Sequence, residues 1–205
     1  VGDFGDLNKM VDYVASTGQR VLQVLPINDS TVTHTWTDSY PYSCISIFAL
    51  HPMYADLRQL PALKDADEAK RFHELQKQLN LLNQIDYEAV NNSKREYMKL
   101  LFAQEGKAMM QTDEYKKFFD ESQEWLVPYA QYCYLRDTNG TADFSKWQDH
   151  NQWDEAGHSA TAAQRLSATW SSTTSYSSSS TSRCKLSTSM PARRTSYSRA
   201  IFLSV

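Results

Sequence analysis

Cysteine is scarce in this chain of 205 residues: Cys44, Cys133 and Cys184 are the three, and they lie far apart. That spacing excludes a disulfide framework and a cysteine-based zinc site, and it fits a reducing, cytoplasmic setting. Long apolar runs are absent too. None approaches the roughly 20 residues of a membrane span, and no basic-then-apolar leader opens the chain, so no membrane partner is expected. The start at Val1 in place of Met is what a truncated beginning gives. A net charge of −3 offers no argument for nucleic acid or an anionic surface as partner. His34 and His51 have no companions at ligand spacing, so the expectation is solvated or packed imidazoles, with no metal and no cofactor.

Acidic residues are missing from one region only. All 24 fall at or before Glu155, and the last 50 residues carry six Lys/Arg with no Asp or Glu. From Ser167 to Val205 there are fourteen Ser and six Thr without helical or strand period. As protein this is a disordered basic linker. The genetic code permits a second reading. Arg199 to Val205 can be written AGG GCG ATA TTC CTA TCG GTN, and moved back one base it reads Lys-Gly-Asp-Ile-Pro-Ile-Gly. The same shift turns Thr173-Thr174-Ser175-Tyr176-Ser177 into Tyr-Tyr-Phe-Val-Gln, an apolar, foldable string. A frameshift between about Asp154 and Trp170 is therefore expected, with the genuine Ser-rich linker as its alternative.

What is present is concentrated near the beginning. Leu7, Met10, Val11 and Val14 recur at i, i+3, i+4 and i+7, which predicts a helix stopped by Gly18. Val21, Leu22, Val24 and Leu25 form a short apolar run that suits a strand buried on both faces of a parallel sheet. Helix, glycine and buried strand are one half of an α/β repeat. Residues 28–43 have no period and are rich in Thr, Ser, Asp, Trp and Tyr, so they read as a loop at the carboxyl end of that strand, where α/β barrels keep their chemistry. Aromatic residues make up 12% of the chain; exposed, they stack on flat faces such as those of sugars, and otherwise they are core packing.

Further on the chain turns helical. Asp65 caps a helix through about Leu79, Tyr87–Met110 reads as a second despite Gly106, and Asp113–Glu124 as a third. Pro128 then sits where the first turn of a new helix tolerates it, and Asn139-Gly140 is a turn. The expected organisation is residues 1–62 as first barrel strands and substrate loop, 63–138 as a helical insertion, 139–166 as a return toward the barrel, and 167–205 as a disordered or frameshifted tail.

Taken alone, Asp38-Ser39 is a turn-forming pair and Tyr40, Pro41 and Tyr42 are loop packing more often than a sugar platform. Asp29 and Asp38 could be imagined as paired catalytic carboxylates, but an aspartate at a strand end is more often a cap or turn residue, and no catalytic residue is assigned.

Several strings in order change those odds. Gly2-Asp3-Phe4-Gly5-Asp6-Leu7, Val21-Leu22-Gln23-Val24-Leu25-Pro26-Ile27-Asn28-Asp29, Thr33-His34-Thr35-Trp36-Thr37-Asp38-Ser39-Tyr40-Pro41-Tyr42, His51-Pro52-Met53-Tyr54 and Glu124-Trp125-Leu126-Val127-Pro128-Tyr129-Ala130 together resemble the amylomaltases, or 4-α-glucanotransferases. The resemblance is greatest to the plant cytosolic and Bacteroides-like branch of these disproportionating enzymes and runs from Val1 to about Trp153. It implies an α/β fold, here an N-terminal fragment of a (β/α)₈ TIM barrel with a helical insertion. It also implies transfer of α-1,4-glucan segments from a maltodextrin donor to a sugar acceptor, by retention through a glycosyl-enzyme intermediate on an aspartate with a glutamate as acid/base. In the family those carboxylates lie well downstream of the matched strings, outside this chain, so the fragment is expected to be inactive as given. Asp38, Ser39, Tyr40 and Tyr42 match the substrate-contacting loop. Ser39 would offer its hydroxyl and Tyr42 its ring to glucose units, and Tyr40 is an addition relative to the compact bacterial members. The reading from another class is a non-catalytic glucan-binding or helical interaction module with a disordered basic tail.

Overall fold

The computed structural model describes residues 2–149, 151 and 200–203. The expected frameshifted stretch falls almost wholly outside these, as does Cys184.

Helix α1 spans Phe4–Ser16 and is capped by Asp3, whose carboxylate accepts from the Asp6 amide. The chain leaves it through Thr17 and Gly18 and enters strand β1, Val21–Val24. Strand β2, Ala200–Leu203, lies parallel to β1 with Val21 opposite Ala200 and Val24 opposite Leu203. Burial on both faces of β1 was the expectation, and it is not met: Val21 is 50% exposed and Leu25, just beyond the strand, 57%. Among the described residues β1 has a single neighbouring strand and one helix beside it, too little to cover two faces. Two strands also fall short of a barrel, which needs about eight to close. The described residues are mostly helical.

Three helices supply that content: α2, Ala66–Asn80; α3, Tyr87–Met110; and α4, Asp113–Asn139. Each begins on a side-chain cap. Asp65 accepts from the amides of Asp67 and Glu68, Asp86 from Ala89, and Thr112 from Tyr115. At the far end of α4, Gly140 takes φ +66°, a left-handed conformation that releases the chain without a Cβ clash. Gly106 has a different reason to lack a side chain. The Phe102 ring covers its face of α3, so closely that a Cβ there would stand 2.0 Å from a ring carbon.

Helix α4 corrects one expectation. It does not restart at Pro128 but runs through it. A proline inside a helix removes one backbone hydrogen bond and costs about 3 kcal/mol. Here that cost is offset by what the flanking residues bury: Leu126, Tyr129 and Cys133 form one cluster with Ala49, edged by Ile45, Phe118, Phe119, Trp125 and Tyr132. Continuity keeps those side chains on one stripe.

The segment 45–63 threads along the helices and ties them together. Ala49 packs on α4, Ala55 on Met98 of α3, and Leu63 on Phe72 of α2 and Leu101 of α3. Between the first two contacts, the half-buried Lys94 ammonium donates to the carbonyls of Met53 (2.7 Å) and Ala55 (2.8 Å). Burial lowers the pKa of this amine, against the nearby charges of Asp3 and Asp56.

Candidate functional site

Past β1 the chain is clasped before it opens into the loop. Asn28 bridges Leu50 in antiparallel fashion, the Asp29 amide donates to the Ala49 carbonyl, the His51 amide to that of Ile27, and the Ile45 amide to that of Asp29. Residues 27–29 and 45–51 thus close the neck, and 30–44 are the loop it presents.

Two buried aspartates shape that loop from within. Asp29 is 2% exposed, and its carboxylate accepts from the Thr31 amide (3.0 Å), the Thr31 hydroxyl (2.6 Å) and the Tyr129 hydroxyl on α4 (2.6 Å). Asp38 is 5% exposed and accepts from the Thr33 amide and hydroxyl and the His34 amide, the last at 2.6 Å. Buried carboxylates must be matched by donors, and here the loop's own amides and threonine hydroxyls provide all of these but the one from Tyr129. Burial pushes the Tyr129 hydroxyl well above its ordinary pKa, with the Asp29 charge adding to it. Burial likewise pushes the Cys133 thiol up to about 12, so it is an inert packing residue. His51, 3% exposed, accepts the Met53 amide on Nδ1; burial lowers its pKa, opposed by the charges of Asp29 and Asp38.

The aromatic residues go outward. Ser30 donates to the Asp38 carbonyl, drawing in a short 3-10 turn over Trp36–Ser39, and the following residues stand on its outer side. Trp36 is 70% exposed, Tyr40 59% and Tyr42 54%; the two tyrosine rings lie 5.5 Å apart between centroids at an interplanar angle of 59°. Ser39, directly before Tyr40, is half-buried. So of the four expected contact residues, Ser39, Tyr40 and Tyr42 gather at the tip, while Asp38 lies beneath it with both oxygens engaged. The space below the loop, lined by Asp29, Thr31, Arg95, Tyr129, Arg136 and Asp137, measures about 40 Å³. That is room for water and too little for a sugar ring.

Helices α3 and α4 grip the loop from behind, through residues that sequence reasoning did not single out. The Arg136 guanidinium, 4% exposed, donates to the Thr31 carbonyl. Asp137 accepts from Arg136 Nε (2.8 Å), His34 Nε2 (2.8 Å) and Arg95 Nη2 (3.3 Å). Burial alone would raise the Asp137 carboxyl, but these donors and the two guanidinium charges hold it well below the usual carboxylate range. His34 takes φ +60°, the sole non-glycine residue with positive φ among those described. That conformation costs roughly 1 kcal/mol for a residue with a Cβ. A signal for α4 was legible in principle: Tyr129, Cys133 and Arg136 fall at i, i+4 and i+7, so the buried stripe ends in a charge.

Among the described residues no cluster of His, Cys, Asp and Glu is arranged to hold a metal ion, and no helix is long and apolar enough to cross a membrane.

The sequence model of the 4-alpha-glucanotransferases matches residues 1–177. The chain belongs to the 4-alpha-glucanotransferase family. It is 39% identical over 153 residues to the 4-alpha-glucanotransferase DPE2 of Oryza sativa subsp. japonica, a match covering 75% of this chain and 16% of the rice protein. The 4-alpha-glucanotransferase of Chlamydia muridarum is 30% identical over 148 residues, covering 72% of this chain and 27% of that protein. That of Synechocystis sp. is 26% identical over 165 residues. The chain therefore spans between about a sixth and a third of the length of these curated relatives. As a member of the 4-alpha-glucanotransferase family with a plant protein among its relatives, it meets the expectation drawn from its motifs.

Proposed function

We propose that this chain carries the glucan-contacting loop of a 4-alpha-glucanotransferase, the loop standing at the carboxyl end of the first strand of a (β/α)₈ barrel. The observation that carries this reading is the outward tip formed by Ser39, Tyr40 and Tyr42 on a loop clasped directly after β1, in a chain of this family. Two tilted, half-exposed rings beside a hydroxyl are suited to a sugar's apolar face and its hydroxyl groups. Asp38 holds the tip from below. The parallel pairing of β1 with β2 supports the barrel, since parallel strands require a crossover of the α/β kind. On this reading residues 1–62 belong to the barrel and its loop, 63–138 are a helical insertion, and 139–166 lead back.

The reaction is retaining transfer of an α-1,4-glucan segment between maltodextrins in the cytoplasm. Its nucleophile and acid/base are carboxylates contributed by other parts of the family's domain, and the loop's part is to hold donor or acceptor glucose units. The Ser-rich composition without acidic residues after residue 167 supports a change of reading frame in the tail; codons of the source DNA that fail to restore the shifted strings would remove that element. The non-catalytic module is not favoured, because the family match spans loop and helices alike.

The test is a titration of the chain with maltoheptaose, read by its intrinsic fluorescence. Saturable binding is expected, weakened about fivefold by Tyr42→Ala, since one ring contact is worth roughly 1 kcal/mol and each 1.4 kcal/mol is a decade. Ser39→Ala combined with Tyr42→Ala should abolish it. A double variant that binds like the unaltered chain would overturn the reading.

A further inference from the structure

We propose that His34, Arg95 and Asp137 form a tether that positions the tyrosine tip and thereby sets its affinity for maltodextrin, an inference that rests on the glucan-binding reading above. Three independent observations meet at His34. Its backbone is left-handed, and that kink directs the amides of Thr33 and His34 together at the Asp38 carboxylate. Its ring leaves the loop and reaches both long helices at once. Nε2 lies 2.8 Å from Asp137 Oδ1 on α4, and Nδ1 meets the Arg95 guanidinium on α3. A guanidinium has only N–H groups to offer, so Nδ1 accepts and Nε2–H donates to the carboxylate. The ring orientation is thus set from both sides. Asp137 is in turn held by Arg136, which also fixes the Thr31 carbonyl three residues before His34.

The placement argues for a role in the loop's conformation more than in the fold. His34, Arg95 and Asp137 have side chains 30%, 23% and 33% exposed, and ion pairs this open to solvent contribute little to global stability. None of the three joins an apolar cluster. Yet the tether attaches four residues before Asp38 and six before Tyr40, at the loop's left-handed residue. Small angular changes at such a point are carried into the ring positions at the tip. The 40 Å³ space beneath leaves the tether no ligand of its own. His34, Arg95 and Asp137 are therefore positioning residues for the aromatic contacts.

The chain is tested as His34→Gly, His34→Gln and Asp137→Asn, with Tyr42→Ala as the reference, in three measurements: maltoheptaose affinity, melting temperature, and the rate of chymotryptic cleavage after the exposed Trp36 and Tyr42 followed by mass spectrometry. Glycine adopts the left-handed backbone without cost and removes the tether. The expectation for His34→Gly is a melting temperature close to that of the unaltered chain, roughly tenfold weaker binding, and several-fold faster cleavage. Glutamine places an amide Nε2–H near the imidazole Nε2–H, and should restore binding to within about threefold. Asp137→Asn should weaken binding and speed cleavage as His34→Gly does, adding nothing to either in the double variant, and it should lower the melting temperature as well because it also loosens the pairing with the buried Arg136. The proposal is overturned if His34→Gly keeps both affinity and protection, or if glutamine does no better than glycine. If Tyr42→Ala leaves binding unchanged while His34→Gly still exposes the loop to cleavage, the glucan reading has failed, and the tether's effect on affinity with it. If Tyr42→Ala weakens binding and His34→Gly does not, the tether alone has failed.

Discussion

The loop of residues 30–44 and the hairpin of α2 and α3 are both covered in polar side chains, yet they are held by opposite means. The loop is built around buried carboxylates, Asp29 and Asp38, whose donors come from its own backbone and from Tyr129 about a hundred residues away. The hairpin is built from local signals: Asp65 and Asp86 as caps, an exposed Arg71 bridging Glu68 at 2.7 Å and Glu96 at 2.8 Å, and a modest apolar seam of Phe72 with Leu101. At its turn Leu81 is 84% exposed and Leu82 51%. A region assembled from distant buried charges fails as a unit. One assembled from short-range preferences gives way a little at a time.

That contrast can be broken at several points. The largest effect is expected from Asp29→Ala, which strips partners from the Tyr129 hydroxyl and from Thr31 together; a loss of about 3 kcal/mol should appear in denaturant unfolding. A loss under 1 kcal/mol would mean that the loop is held by its surface contacts instead. Next comes Asp137→Asn, whose effect depends on pH. The folded carboxyl is held below its ordinary pKa, so its contribution to stability is present above the ordinary carboxylate range and is lost as pH falls through the depressed value. The gap between Asp137→Asn and the unaltered chain should be full at neutral pH and begin to close below about pH 4. A gap that widens with acid would contradict the pairing described. In the hairpin, Asp65→Ala removes a helix cap and should cost about 1 kcal/mol, checked by thermal unfolding. Leu82→Gln at the hairpin turn should change stability by no more than roughly 0.5 kcal/mol. If it destabilises as much as the cap variant does, the turn is packed more closely than its exposure indicates.

Sequence reasoning reached the hairpin most fully, for the same reason that the hairpin is tolerant. Asp65, Tyr87 and Met110 were readable as boundaries because caps and periodicity act within a few residues. The tyrosine loop was readable as a place, after the apolar run ending at Leu25, and its outward rings agree with its composition. Its interior was not. Nothing near Asp38 announces that the carboxylate turns inward to Thr33 and His34, because inward and outward rotamers differ only in what surrounds them. Pro128 misled for a related reason: local rules place a helix start there, and the packing of Leu126, Tyr129 and Cys133 on Ala49 outweighs them.

The order of residues, with no structure at hand, determined the helices, their caps, the family and the position of a polar aromatic loop behind the first strand, since each depends on neighbours in the chain or on strings of residues in sequence. The tertiary structure alone decided which carboxylates are buried, that α4 continues through its proline, and that His34, Arg95, Arg136 and Asp137 converge behind the loop. Those outcomes depend on contacts between segments some forty to a hundred residues apart, where the cost of burying a charge is met only once the partner helix is in place.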